Sequence, residues 1–188
     1  MSSALALPPL MTVDQFETWA GDGVNRLHQL IDGEPVAMNP PSWRHNAIAF
    51  ELGNLLANHL RASGKRCVVV PEPGVQPYAG ASTNIRVPDL AVSCAPGNGH
   101  WLEQPLLIVE VLSPSNIRET REAVRACLTI PSVLEVLVLA APEPGAELLR
   151  REPDGTWPKE PLRLGEADEL VLNSLGFRCS IAALYRTT

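Results

Sequence analysis

The stretch PLLIVEVLSPSN, Pro105 to Asn116, decides the fold. Leu106, Leu107, Ile108, Val109, Val111 and Leu112 enclose a single carboxylate, Glu110. A short run that is apolar on both alternating faces reads as a strand buried within a sheet. An isolated ionised carboxylate is costly to bury, so Glu110 needs a cation, a metal or several hydrogen-bond donors. Ser113-Pro-Ser-Asn116 ends the run and opens a helix to about Leu128, with Asn116 and Glu119 at capping-box spacing. VLEVLVLA, 133–140, is the next strand.

Upstream, Thr12-Val-Asp-Gln15 resembles a capping box that opens a short helix through about Trp19. Asp32-Gly33 is a strong hairpin signal, so LHQLI and EPVAM, within 27–38, pair as strands. Ser42 is the N-cap of a helix from Trp43 to about Ala62, whose apolar face carries Ile48, Leu52, Leu55, Leu56 and Leu60. CVVVPEPGVQPY supplies one or two strands broken by prolines, and NIRVPDLAVSC, 84–94, another. AELLRREPDGTW reads as a hairpin turning at Asp154-Gly155, and a short helical piece closes the chain near 181–185. Helix, hairpin, helix, strands, helix, strand makes an α/β (α+β) domain around a mixed sheet.

At 188 residues, 45% hydrophobic and 19% charged, the chain has the composition of one globular domain, 11–188, after a flexible tail, 1–10. No apolar run reaches the roughly 18 residues of a membrane span, so no membrane partner is expected. Cys67, Cys94, Cys127 and Cys179 lie far apart and form no CxxC pair. They read as core thiols in a reduced cytoplasm rather than as a zinc site or a disulfide scaffold. A net charge of −6 counts against non-specific coating of nucleic acid.

Asp89, in RVPDLAV, repeats the puzzle of Glu110: a carboxylate among apolar strand residues. Pro88 removes a ladder donor, which places a strand end or bulge beside it. Two such acids are explained if they face each other across a shared divalent cation, and hard carboxylate oxygens suit Mg²⁺. Glu34, after the hairpin turn, and His45, in the first turn of its helix, could complete that site. The residues equally allow Glu110 to pair with Arg86, Arg118, Arg121 or Arg125, and Asp89 to serve only as a turn former. His59 reads as a core or boundary histidine.

VPD at 87–89 followed by EVL at 110–112 resembles the PD-(D/E)XK nuclease superfamily. More narrowly, LIDGEPVAMNPPSWRH, RVPDLAV, IVEVLSPSN and IPSVLEVLVL resemble the bacterial restriction-endonuclease family called Uma-two, over roughly residues 11–186. The resemblance implies a restriction-endonuclease-like mixed sheet flanked by helices and Mg²⁺-dependent (or Mn²⁺-dependent) hydrolysis of phosphodiester bonds in nucleic acid, DNA foremost. It implies Asp89 and Glu110 as metal-binding acids, Glu34 as a third ligand or water-positioning base, and His45 as an orienting group. By analogy a homodimer is expected.

Two positions depart from the pattern. The superfamily places lysine two residues beyond the glutamate, on the same side of the sheet, where this chain has Leu112. The family moves that lysine to the following helix, where this chain has Ala123 and Val124. Arg118, Arg121 and Arg125 form one stripe of that helix, and Arg121 or Arg125 is the candidate to contact a scissile phosphate. Arginine is a poor general base, so an impaired pseudo-nuclease acting as a binding or regulatory module is the alternative reading.

Overall fold

A computed structural model describes residues 10–24, 27–78, 80–186 and 188; most of the expected tail, 1–9, lies outside them. Helix α1 (Val13–Glu17) starts on its capping box: Thr12 Oγ1 accepts from the Gln15 N–H at 3.3 Å, and Gln15 Oε1 accepts from the Thr12 N–H at 2.9 Å. Strands β1 (His28–Ile31) and β2 (Glu34–Ala37) meet at Asp32 and Gly33, whose positive φ angles of 49° and 87° suit a tight hairpin. Helix α2 (Trp43–Ala62) begins with Ser42 Oγ accepting from the His45 N–H and buries Ile48, Leu52, Leu56 and Leu60.

Strands β3 (Val68–Pro71), β4 (Leu90–Ser93) and β5 (Pro105–Leu112) follow, then α3 (Ile117–Cys127), β6 (Glu135–Ala140), β7 (Gly145–Arg150) and β8 (Leu162–Gly165). These strands form one six-stranded sheet in the order β3-β4-β5-β6-β7-β8. Only β5 and β6 are parallel, so the sheet is mixed and α3 is the crossover that parallel neighbours require. The central place of β5 follows from its apolar faces. Leu107, Val109 and Val111 pack into the cluster shared with α2. Ile108 joins Val124 and Cys127 of α3 on the opposite side, the side that alternation gives to Glu110.

Four local expectations change. Asn116 does not cap α3 through its side chain; its Oδ1 accepts from the Ser113 N–H at 2.7 Å and so closes the preceding turn. The turn at Asp154-Gly155 is present, yet the strand that pairs with β7 begins only at Leu162. A further hairpin, β9 (Glu169–Leu172) with β10 (Phe177–Ser180), precedes α4 (Ile181–Leu184) and buries Leu170, Leu172 and Phe177 in the α2-side core. Cys67 and Cys94 are joined as a disulfide rather than standing as separate thiols. The register of β3 against β4 pairs Val68 with Ser93, so the next residues outward, 67 and 94, face each other. Cys127 is buried and Cys179 half-buried.

Candidate active site

Pairing of β4 with β5 begins at Leu90, immediately after Pro88 and Asp89. That leaves the Val111 N–H of the buried β5 without a ladder acceptor, and Asp89 Oδ2 takes it at 2.6 Å. Asp89 Oδ1 lies 2.8 Å from His45 Nε2, and the Asp89 carbonyl accepts from the Glu72 N–H at 3.1 Å. His45 is buried, fixed by the start of α2, and an Nε2–H there donates to Asp89. Asp89 is therefore held from three elements at once.

Glu110 stands beside it in a different condition. It is 7% exposed, and no described residue donates a hydrogen bond to its carboxylate or forms an ion pair with it. Burial pushes its pKa well above the usual carboxylate range; the Asp89 charge pushes the same way, and the Arg86 guanidinium opposes both. The same surroundings raise the thiol of Cys127, first through burial and then through Glu110. Arg86 is itself buried, and its Nε has no hydrogen-bond partner. Two acids and one guanidinium thus share a low-dielectric corner in which Asp89 is satisfied, while Glu110 and the Arg86 Nε have no hydrogen-bond partner among the described residues.

The other sequence candidates fall elsewhere. Glu34 is exposed beside the hairpin turn. Leu30 bridges Ile85, and Asp32 and Asn84 exchange hydrogen bonds, so Glu34 lies level with Asn84, five residues before Asp89 on an extended segment. It does not join the pair, and among the described residues no group of three or more His, Cys, Asp or Glu side chains converges to hold a metal. The arginine stripe of α3 does not reach Glu110 with an ion pair either. Arg118 pairs with Glu119 on the surface, Arg121 pairs with Glu147 of β7, and Arg125 is exposed. Glu110 aligns with Val138, and Val138 with Glu147, so the Arg121–Glu147 pair lies in the same cross-sheet row, two strands away. Leu112 is half-buried on the Glu110 side, and no lysine replaces it. His59 faces the Leu175 carbonyl at 3.1 Å, a boundary contact as expected.

Of the four arginines that the sequence offered to Glu110, Arg86 is the one whose charge acts on it. One residue gains importance only from the structure. Glu72, between Pro71 and Pro73, is held at φ 47°, a left-handed conformation costly for a non-glycine residue. It stands with Asp89 on the lining of a cleft of about 430 Å³ between α2 and the sheet edge. The paired prolines around Glu72 were the available signal.

The comparisons bear on the family and the fold. The family model Uma2, described as "Putative restriction endonuclease", matches residues 13–182. A solved structure described as "a putative nuclease belonging to DUF820 from Anabaena variabilis ATCC 29413" superposes with a TM-score of 0.75 at 16% identity, covering 94% of this chain and 98% of that one. No curated protein sequence matches the chain.

Proposed function

The chain belongs to the Uma2 family, and from that premise we propose that it is a Mg²⁺-dependent endonuclease hydrolysing phosphodiester bonds of DNA. The observation that carries this reading is Glu110, buried with no hydrogen-bond donor among the described residues beside an Asp89 that three elements hold in place. Two carboxylates in that condition fit a hard divalent cation, whose charge would meet what the chain leaves unmet. Asp89 and Glu110 would hold the ion; when bound, it supplies Lewis-acid polarisation of a phosphoryl oxygen and a more acidic water.

The chain's own residues do the rest. His45 orients the Asp89 carboxylate. Arg86 balances the charge of the acid pair from within the corner. Arg121 is the phosphate contact, exchanging Glu147 for the substrate's phosphate. Leu112 brings no proton-transfer group to the reacting water, which lowers the rate by on the order of 10²–10⁴ relative to a lysine-bearing site. The setting is the cytoplasm, where Cys67 and Cys94 would stand reduced, and the active form is a homodimer with one site for each strand.

The second reading, a pseudo-nuclease that kept the fold as a binding or regulatory module, is favoured by Leu112 and by the engagement of Arg121 with Glu147. Plasmid cleavage in Mg²⁺ or Mn²⁺ decides between them. The wild type should nick DNA slowly, and chelator, Asp89→Ala or Glu110→Ala should each abolish nicking. Equal activity in all three proteins would assign the cleavage to a contaminant, and no cleavage in any would leave the pseudo-nuclease reading.

A further inference from the structure

Strand β3 is one edge of the six-stranded sheet, and its sequence does not blunt that edge. Free edges are usually protected by a charged residue, a bulge or a proline within the strand. The opposite edge, β8, carries Arg163 in its interior. In β3 three valines, Val68 to Val70, run without a break, and Pro71 stands only at the end.

Alternation settles which backbone groups of β3 are spare. The Glu72 N–H donates to the Asp89 carbonyl, one step beyond the Pro71–Leu90 pair. Every second residue of an antiparallel strand bonds to its partner strand, so Val70 and Val68 bond to β4. Val69 therefore turns its N–H and C=O outward, Pro71 turns its C=O outward, and Cys67, next to the strand, does the same. No described residue takes these groups. Such a row is completed by another extended strand.

A second copy of β3, run antiparallel about a two-fold axis at Val69, fits the row. The two Val69 residues then exchange two hydrogen bonds, and the Cys67 N–H of each copy meets the Pro71 carbonyl of the other. The same register sets Arg66 of each copy opposite Glu72 of the other. Both residues are exposed, and neither has an ion pair among the described residues. A complementary charge pair therefore falls at each end of the joint. The axis also leaves both α2 helices on one face of the joined sheet. There Phe50, 74% exposed, shares a cleft lining with Val69 and Pro71, so the apolar surface of the edge continues onto the helix.

We propose that the outer edge of β3 is the interface of a homodimer, in which two copies pair as antiparallel strands centred on Val69 and the Arg66–Glu72 pairs fix the register. An isologous contact of this kind closes on itself and leaves no β3 edge open. This rests on the homodimer part of the proposed function and not on its catalytic part. Because the Glu72 N–H holds the Asp89 carbonyl, the joined strands also brace the segment that positions Asp89.

The test is sedimentation equilibrium of the full chain, with a reductant present to exclude disulfides between copies. The wild type should be a dimer. Val69→Pro removes only an outward N–H and should be monomeric. Arg66→Glu sets like charges face to face and should weaken dimerisation by at least about tenfold. Arg66→Glu/Glu72→Arg should recover most of that loss, and this swap decides the matter even if Val69→Pro does not fold. A monomeric wild type overturns the interface together with the homodimer. A dimer whose affinity is unchanged in Arg66→Glu, or a swap that restores nothing, overturns the interface and leaves the homodimer to another face. Plasmid cleavage is read separately. A dimer that the swap restores upholds the interface even if no protein cuts DNA, and then only the nuclease reading fails. Cleavage by a wild type whose dimer ignores Arg66 overturns the interface alone.

Discussion

The tripeptide Glu-Val-Leu occurs twice, at 110–112 and 135–137, on the two parallel strands of the sheet. Both glutamates are nearly sealed from solvent, yet their surroundings are opposite. Glu135 accepts from Arg150 Nε at 2.8 Å, from the Asn173 and Ser174 N–H groups at 3.0 Å each, and from Ser174 Oγ. Glu110 accepts from none of the described residues. A carboxylate with four donors is part of the fold, since it ties β6 to β7 and to the turn between β9 and β10. A buried carboxylate with no donor among the described residues is a cost that the fold carries for another purpose. Local sequence cannot separate the two, because the donors come from residues 15 to 39 positions away.

The largest difference should appear on truncation. Glu135→Ala leaves Arg150 and the residue 173–174 turn without their acceptor, and should lower unfolding free energy by about 3 kcal/mol in a denaturant titration. Glu110→Ala should cost far less stability while abolishing DNA nicking. Equal destabilisation by the two substitutions would remove the distinction between them.

A subtler contrast comes from Glu110→Gln. Removing the charge removes both the burial penalty and the repulsion from Asp89, so the variant should be more stable at neutral pH by about 1 kcal/mol. The pH dependence has a definite sign. The folded-state pKa of Glu110 lies above its unfolded value, so between the two the folded chain binds more protons and stability falls as pH rises. Glu110→Gln lacks this slope. Its advantage in melting temperature should be absent near pH 4 and grow from about pH 4.5 upward; a constant advantage would contradict the raised pKa.

The smallest effect concerns Glu147. Its pair with Arg121 is part-exposed, so Glu147→Ala should cost less than about 1 kcal/mol in stability. Freed from it, Arg121 should tighten DNA binding several-fold at low salt, measured by anisotropy. Unchanged or weaker binding would remove Arg121 from the phosphate contact.

The uneven legibility of the chain has the same physical origin. Helix α2, the Asp32-Gly33 hairpin, the Thr12 capping box and the buried β5 were readable because periodicity and turn chemistry are local. The Cys67–Cys94 pairing, the late start of β8 and the β9–β10 hairpin depend on long-range register, which spacing alone does not reveal. At the site, Asp89 and Glu110 stood out because a carboxylate within an apolar strand is anomalous at the level of single residues. Asp-Gly-Glu marks a hairpin equally well when the glutamate faces solvent, as Glu34 does; the Leu30–Ile85 bridge that sets where the hairpin lies is long-range and not legible in the sequence. Glu72 was marked only by the prolines on either side of it, since its place beside Asp89 is a property of packing.

Calorimetric titration of Mn²⁺ into the wild type and Glu110→Gln bears most directly on the pair itself. One saturable ion per wild-type chain, absent in the variant, is the predicted result. No ion in the wild type, or the same ion with the same affinity in both proteins, would mean that Glu110 is not there to hold a cation.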